Sequence, residues 1–261
     1  MTATAKPIKS KRLGSRGQPE ATREAILRAA GAEFALEGLA GARMDAIAGA
    51  ACVNKALLYY YFHDKDALYG AVLDQFFRPL FARLMEVLES PASPGEKILG
   101  YTRAHFDTIA ETPHYARLFQ SEMMSAGRGM SSHLSEMVGR YIMPLSLRLQ
   151  STLKQGVECG QFRQIDVIQF IPSMVASIVF YFVTAPVQQK LRGGDPFSPE
   201  AINARREAVL DFVAAALFAN REEGLRLAAE FAERKALDAS LSRSSEAATR
   251  GYVETDLKRQ K

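Results

Sequence analysis

Three observations predict an all-helical fold. Apolar residues recur at helical spacing in about ten segments, and Gly, Pro or Asn stands at the breaks between them. No segment alternates apolar and polar residues between turn signals, as a half-buried β-strand would. The composition, 48% hydrophobic and 24% charged over 261 residues, supplies enough core for one or two domains and is not that of a disordered chain.

The elements follow in order. Residues 1–19 carry Lys, Arg, Gly, Ser and Pro without periodicity and read as a flexible basic arm. From Thr22, a helix is marked by Ile26, Leu27, Ala30 and Phe34, with Gly38 as its stop signal. Met44, Ile47, Ala48 and Ala51 fit two turns of a second helix. Asn54 offers a capping oxygen to a third, through about Phe62. Asp64 opens a long fourth helix through about Leu88, expected to bury Leu68, Val72, Leu73, Phe76, Leu80 and Leu84, with Pro79 as a candidate kink. Further helices are expected over about 95–111, 114–125, 131–158, 166–187 and 199–219. A last amphipathic piece runs to about Leu237, and residues after Ser240 read as disordered. The implied organisation is an arm (1–19), a three-helix domain (20–66), a helical domain (67–220) and a charged extension (221–261).

Charge and cysteine usage narrow the function classes. Residues 1–65 hold ten Lys/Arg against six Asp/Glu, and the remainder holds 23 of each, so the net +4 lies in the first quarter. A basic head on a neutral body suits a nucleic-acid-binding module joined to a second domain, although a solvated tail would carry the same charge. Cys52 and Cys159 match no disulfide framework or zinc spacing, and no signal peptide is visible, so a cytoplasmic protein without a metal or cofactor is expected. From Val167 to Gln189 no residue is charged, a length that could cross a bilayer. Gln169, Ser173, Ser177 and Thr184 nevertheless share one face, and Pro172 and Pro186 interrupt or end the stretch, which suits a helix packed between protein surfaces or lining a pocket. The four histidines have no HExxH spacing, and neither GxSxG nor a glycine-rich phosphate loop occurs, so no catalytic residue is named and an enzyme is not expected.

Two short helices joined by a tight turn, after a stabilising first helix, form a helix-turn-helix geometry. Ala48 falls where the helices approach most closely, Cys52 in the turn, and Leu58 points back into the small core. An ordinary helical hairpin has the same core pattern, so the outward residues of NKALLYYYFHDK carry the functional argument. Lys55 suits phosphate or a guanine edge, and Ala56 and Leu57 suit a thymine methyl. Tyr59, Tyr60 and Tyr61 are consecutive and cannot all face one core. Lys65, in the first turn of the next helix, opposes the helix dipole unless a phosphate or solvent offsets it.

The stretch from Thr22 to Leu73 resembles the DNA-binding domain of the TetR/AcrR family of transcriptional regulators. The resemblance is carried by TREAIL, Phe34 with Gly38, Ile47-Ala48, Val53, Leu58-Tyr59, Tyr61-Phe62 and Lys65-Asp66 with Leu68; QGVECGQFR near Gly156–Arg163 adds to it. It implies a homodimer whose paired third helices enter successive major grooves of a palindromic operator in double-stranded DNA, commonly as a repressor. The implied contact set is Arg43, Met44, Asn54, Lys55, Ala56, Leu57, Tyr59, Tyr60, Tyr61 and Lys65. Three residues depart from the family pattern: Arg43 for a Thr, Cys52 for a turn Gly and Asn54 for a Ser. At a left-handed turn position, Cys52 would cost roughly 1–2 kcal/mol.

In such regulators the remaining helices hold a ligand pocket and the dimer interface. Six of the nine methionines fall between 123 and 174, together with several aromatic residues. Met-rich, aromatic cavities repack around apolar or amphipathic ligands, although each Met also suits simple gap filling. The candidate ligand residues are Tyr101, His105, Phe119, Met123, Met124, Tyr141, Met174 and Tyr181. Apolar surface on 166–187 and 199–219 suggests a four-helix interface between two copies. The alternative reading is a membrane-attached or non-sequence-specific DNA-binding protein without ligand control.

Overall fold

The computed structural model describes residues 19–126 and 130–233. The expected arm, the tail after Ser240 and the end of the last helix at Leu237 lie outside these residues. Helices α1 (Pro19–Gly41), α2 (Met44–Ala50), α3 (Lys55–Phe62), α4 (Lys65–Glu89), α5 (Pro94–Glu111) and α6 (Pro113–Ala126) come first. Then follow α7 (Ser132–Met137), a π-helical turn (Val138–Ile142), α8 (Met143–Glu158), α9 (Val167–Val183), α10 (Ala185–Arg192), α11 (Pro199–Leu217) and α12 (Arg221–Glu233). Among the described residues there is no strand, only an isolated bridge between Phe162 and Phe218.

The chain divides into two compact units after Leu73, inside α4 and beyond the boundary expected at residue 66. The first turns of α4 account for that position. Leu68, Tyr69, Val72 and Leu73 are buried, and Tyr69 meets Phe34 of α1 edge-on at 4.9 Å, so α4 completes the core of the first unit. Ile26, Leu27, Ala30 and Phe34 supply the α1 side of that core; Ile47, Ala48, Leu58 and Phe62 supply the α2 and α3 sides. Gly38 takes φ 66°, which ends the regular part of α1 and turns the chain towards α2. Nothing lies within 4 Å of a Cβ built on Gly38, so the backbone angle, not space, calls for glycine there.

In the second unit α5 is the central element, packed by α6, α8, α9, α11 and α12. Its start is fixed by a capping box: Ser93 Oγ accepts from the Glu96 N–H, and Glu96 Oε2 accepts from the Ser93 N–H at 2.9 Å. Every residue from Tyr101 to Asp107 is buried. The charges in that run are satisfied internally. Asp107 accepts from Arg206 of α11 at 2.5 Å and from Arg103 at 3.3 Å, while Arg103 also donates to the Phe231 carbonyl of α12 at 2.6 Å. Within QGVECGQFR, Gly156 lies so close to the Phe162 ring that a Cβ would come within 2.1 Å of it. Phe162 in turn meets Phe218 at 5.4 Å.

Several expected elements differ in detail. The helix expected over 131–158 is interrupted by the π-helical turn. Residues 166–187 form two helices that break at Thr184 and bend by 65°, while Pro172 and Pro79 stay inside α9 and α4. Phe77, not Phe76, takes the buried position on α4, because it joins Leu73, Leu80 and Leu84 on the inward face. No single described helix is long and apolar enough to cross a membrane; only the bent pair α9–α10 meets that length and composition.

Candidate nucleic-acid interface

The first unit presents an outward surface on α3. Asn54 caps the helix, its side chain accepting from the Leu57 N–H at 2.7 Å. Leu58 and Phe62 anchor the helix in the core, and Arg23 lies over the Phe62 ring at 5.4 Å. With that face fixed, 100° steps send Lys55, Ala56, Tyr59 and Tyr60 outward, Tyr60 to 77% exposure. Leu57 and Tyr61 are half-buried, and the Tyr61 ring meets Tyr60 edge-on at 5.4 Å. The result is a basic and aromatic strip on a short helix held by its opposite face. Its groups are those that contact phosphate and base edges in a major groove.

Four expected contact residues have structural roles. Met44 is only 8% exposed and belongs to the core, so it is not part of the outward surface. Arg43 is the N-cap of α2 without a side-chain cap bond; its side chain is exposed and its N–H donates to Glu33 Oε1 at 3.2 Å. Lys55 Nζ sits on the Asp45 carboxylate of α2, 3.0 Å from Oδ1. Lys65 is half-buried and donates to the carbonyls of Ala40 and Ala42 at 3.1 and 3.2 Å. Those carbonyl oxygens, in the connection from α1 to α2, offset the unfavourable dipole at the start of α4. Helical spacing groups Met44 with Ile47, Ala48 and Ala51, all buried, but conveys none of the partners of Arg43, Lys55 and Lys65.

The turn between α2 and α3 is left-handed at Cys52, with φ 55°. The α3–α4 junction turns at His63, φ 54° and ψ −58°, where the Asp64 N–H meets the Phe62 carbonyl at 2.5 Å. Asp64 then caps α4, accepting from the Ala67 N–H at 2.7 Å.

In the second unit the expected ligand residues separate into groups. Tyr101 and His105 lie one turn apart on α5, their rings 5.6 Å apart, and both are buried. Met174 of α9 is buried against the same helix, its sulfur 3.8 Å from Thr102 Oγ1. Among the described residues neither ring nitrogen of His105 has a hydrogen-bond partner, and burial pushes its pKa down to about 4. Burial raises the Tyr101 phenol well above its ordinary range. Phe119 and Tyr141 instead join an aromatic series on α4: Phe119 to Phe77 at 6.4 Å, Phe77 to Phe81 at 6.1 Å, and Phe81 stacked on Tyr141 at 5.5 Å. The Tyr141 hydroxyl donates to Asp74, which also pairs with Arg78 and Arg140. Met123 and Met124 are 38% and 71% exposed, so they do not line an interior cavity.

A cavity of about 530 Å³ lies elsewhere in this unit, among α9, α10, the Gly193–Pro196 turn and α11. Phe180, Tyr181, Thr184, Gln188, Ala204 and Arg205 are among the residues around it, and of the expected ligand set only Tyr181 takes part. The Tyr181 hydroxyl donates to the Pro196 carbonyl at 2.7 Å, and Arg205 lies 5.5 Å from its ring centre. The bend at Thr184 and glycines at positive φ, Gly193 and Gly194, shape it. Pro186, expected to interrupt or end this stretch, stands just past that bend in the first turn of α10.

An all-helical chain with a helix-turn-helix unit and a separate helical unit defines a DNA-binding regulator. Comparison with known families agrees: residues 26–72 match the family described as bacterial regulatory proteins, tetR family, and residues 94–213 match the tetracyclin repressor-like C-terminal domain. The chain is 30% identical to the HTH-type transcriptional repressor SCO4008 of Streptomyces coelicolor, over 68% of this chain and 87% of that protein. It is 33% identical to the HTH-type transcriptional regulator RutR of Escherichia coli, over 66% of this chain and 79% of RutR. The solved structure of the ketosteroid transcriptional regulator KstR2 of Mycobacterium tuberculosis shares its fold, with a TM-score of 0.62 at 24% identity, covering 76% of this chain and 95% of that one. This chain belongs to the TetR family and is a ligand-responsive, DNA-binding transcriptional regulator, not an enzyme. Regulators of this family bind DNA operators and small-molecule effectors and act as dimers.

Proposed function

We propose that this chain is a cytoplasmic repressor that binds a palindromic operator as a homodimer and is released by a small apolar or amphipathic effector held in the second unit. The observation that carries the DNA-binding part is the outward strip Lys55, Ala56, Tyr59 and Tyr60 on a helix whose opposite face is locked in the core. Arg43 extends the strip with a second exposed cation.

The dimer reading is supported by one face of α9 and α11. Phe180 is 64% exposed beside a step of small residues, Ala204 and Ala208, and Phe212, one turn further along α11, is 56% exposed. A two-fold interface must supply knob and hole from the same patch, and large apolar side chains beside alanines do so. Val187 and Leu191 of α10 add exposed apolar surface.

Effector control would act through α4, which contributes its first turns to the first unit and the rest to the second. Tyr141 and Arg140 of the π-helical turn hold it at Asp74, so a rearrangement there shifts α4 and with it the separation of two α3 helices. Half-sites about 34–36 Å apart, or a multiple of that, tolerate little such change.

The test is selection of bound duplexes from a randomised pool at about 0.15 M salt, where weak non-specific binding is suppressed. A two-fold-symmetric consensus is expected. Retention without any preferred sequence would leave a non-specific DNA-binding protein.

A further inference from the structure

His105 stands out among the buried polar side chains of the second unit. It is 5% exposed, and among the described residues neither of its ring nitrogens has a hydrogen-bond partner. Its neighbours on the same helix are accounted for: the Thr102 hydroxyl donates to the Ile98 carbonyl at 2.8 Å, and Arg103 and Asp107 pair with each other. A buried donor or acceptor left unpaired is costly, and folded proteins rarely carry one without a reason. An imidazole with two orphaned nitrogens in the middle of the central helix is therefore a place waiting for a polar partner.

The partner's chemistry follows from what surrounds the ring. At neutral pH the buried imidazole is uncharged and offers one N–H donor and one lone-pair acceptor. One helical turn away, the Tyr101 phenol remains protonated and offers an O–H. Met174 is buried beside Thr102, one turn before His105, and adds an apolar side chain to this face. The cations nearest to hand are already committed, Arg103 of α5 and Arg206 of α11 both to Asp107. An ionised ligand would find these two cations already neutralised, which makes its entry into the interior expensive.

Resting on the effector-controlled reading above, we propose that Tyr101 and His105 form the polar end of the effector site and select an uncharged, largely apolar molecule carrying a carbonyl or hydroxyl oxygen. That oxygen takes the hydrogen bond that His105 has left open, with the Tyr101 hydroxyl one turn away as a second donor, and the apolar skeleton packs against Met174. The pair thus sets effector class, while skeleton shape sets identity.

The test uses the full chain on its selected duplex, with operator release followed by fluorescence anisotropy. Four probes share one chain length: 2-decanone, 1-decanol, decane and decanoate. We expect release by the ketone and the alcohol and none by decane or decanoate. His105→Leu should weaken release by the ketone at least tenfold and Tyr101→Phe several-fold, both with unchanged operator affinity and dimer mass. Without probe, His105→Leu should unfold at the same or a higher temperature than the parent, because it removes two orphaned polar atoms. Release by decanoate in preference to the ketone, an unchanged response in His105→Leu, or unfolding of that variant several degrees earlier would each overturn this inference alone. A parent protein that binds its operator but is released by none of the four probes would overturn effector control as well.

Discussion

Lys55 Nζ lies 3.0 Å from the Asp45 carboxylate, so the one lysine on the outward face of α3 is held by an acid from α2. Both side chains are about half exposed or more, at 49% and 63%, and the pair contributes at most about 0.5 kcal/mol to stability. Its larger consequence is for DNA, since the same ammonium has a carboxylate beside it when a phosphate approaches. Asp45→Asn is expected to tighten operator binding several-fold with little change in Tm. Lys55→Ala is expected to weaken binding about tenfold or more and to reduce the slope of log affinity against log salt by about 2, one phosphate contact in each half-site. Salt-dependent anisotropy titrations of the two variants check both directions.

Cys52 occupies a left-handed turn position, φ 55°, in which its side chain is exposed. The strain of about 1–2 kcal/mol there exceeds the roughly 0.5–1 kcal/mol of chain entropy that a glycine would cost. Cys52→Gly should therefore raise the midpoint of urea unfolding modestly, and Cys52→Val should lower it. Operator affinity should follow neither change, because the thiol is not part of the α3 strip.

Lys65 is expected to matter for folding first. Lys65→Met removes two charge-assisted hydrogen bonds to the Ala40 and Ala42 carbonyls, a loss of about 1–3 kcal/mol. A residue that served only as a phosphate contact would instead change the salt slope and leave the unfolding midpoint in place. Urea unfolding of the free protein separates the two.

Stability should fall on mild acidification through His105. Its folded-state pKa of about 4 lies below the ordinary 6.5, so between these values the unfolded chain binds a proton that the folded chain does not. The contribution is full above about pH 6.5 and is lost as pH falls towards 4, up to about 3 kcal/mol. His105→Leu should flatten that part of a Tm-against-pH curve between pH 7 and 4.5. An identical slope in parent and variant would contradict the assignment.

Local patterns made most of the architecture readable. Gly38, Asn54 and Asp64 announced the ends and caps of helices because those signals act through their own backbone. Lys55, Ala56, Tyr59 and Tyr60 could be placed outward because Leu58 and Phe62 fix the opposite face of a regular helix. What did not show was whatever depends on a bend or a loop. Tyr69, 1% exposed against Phe34, looks like one more polar-tipped ring until α4 is docked on α1. Gln188 and Arg205 border one cavity only because the chain bends at Thr184 and returns through Gly193 and Gly194. Phe119 and Tyr141 join the α4 aromatic series, which composition could not distinguish from a ligand pocket.

The central claim is that two α3 strips, held at a fixed separation by a dimer, read two half-sites together. Inserting five base pairs between the half-sites of the selected duplex turns one of them about half a helical turn away. The account predicts that affinity then falls to that of a duplex carrying a single half-site. Equal affinity for the inserted and parent duplexes would contradict it.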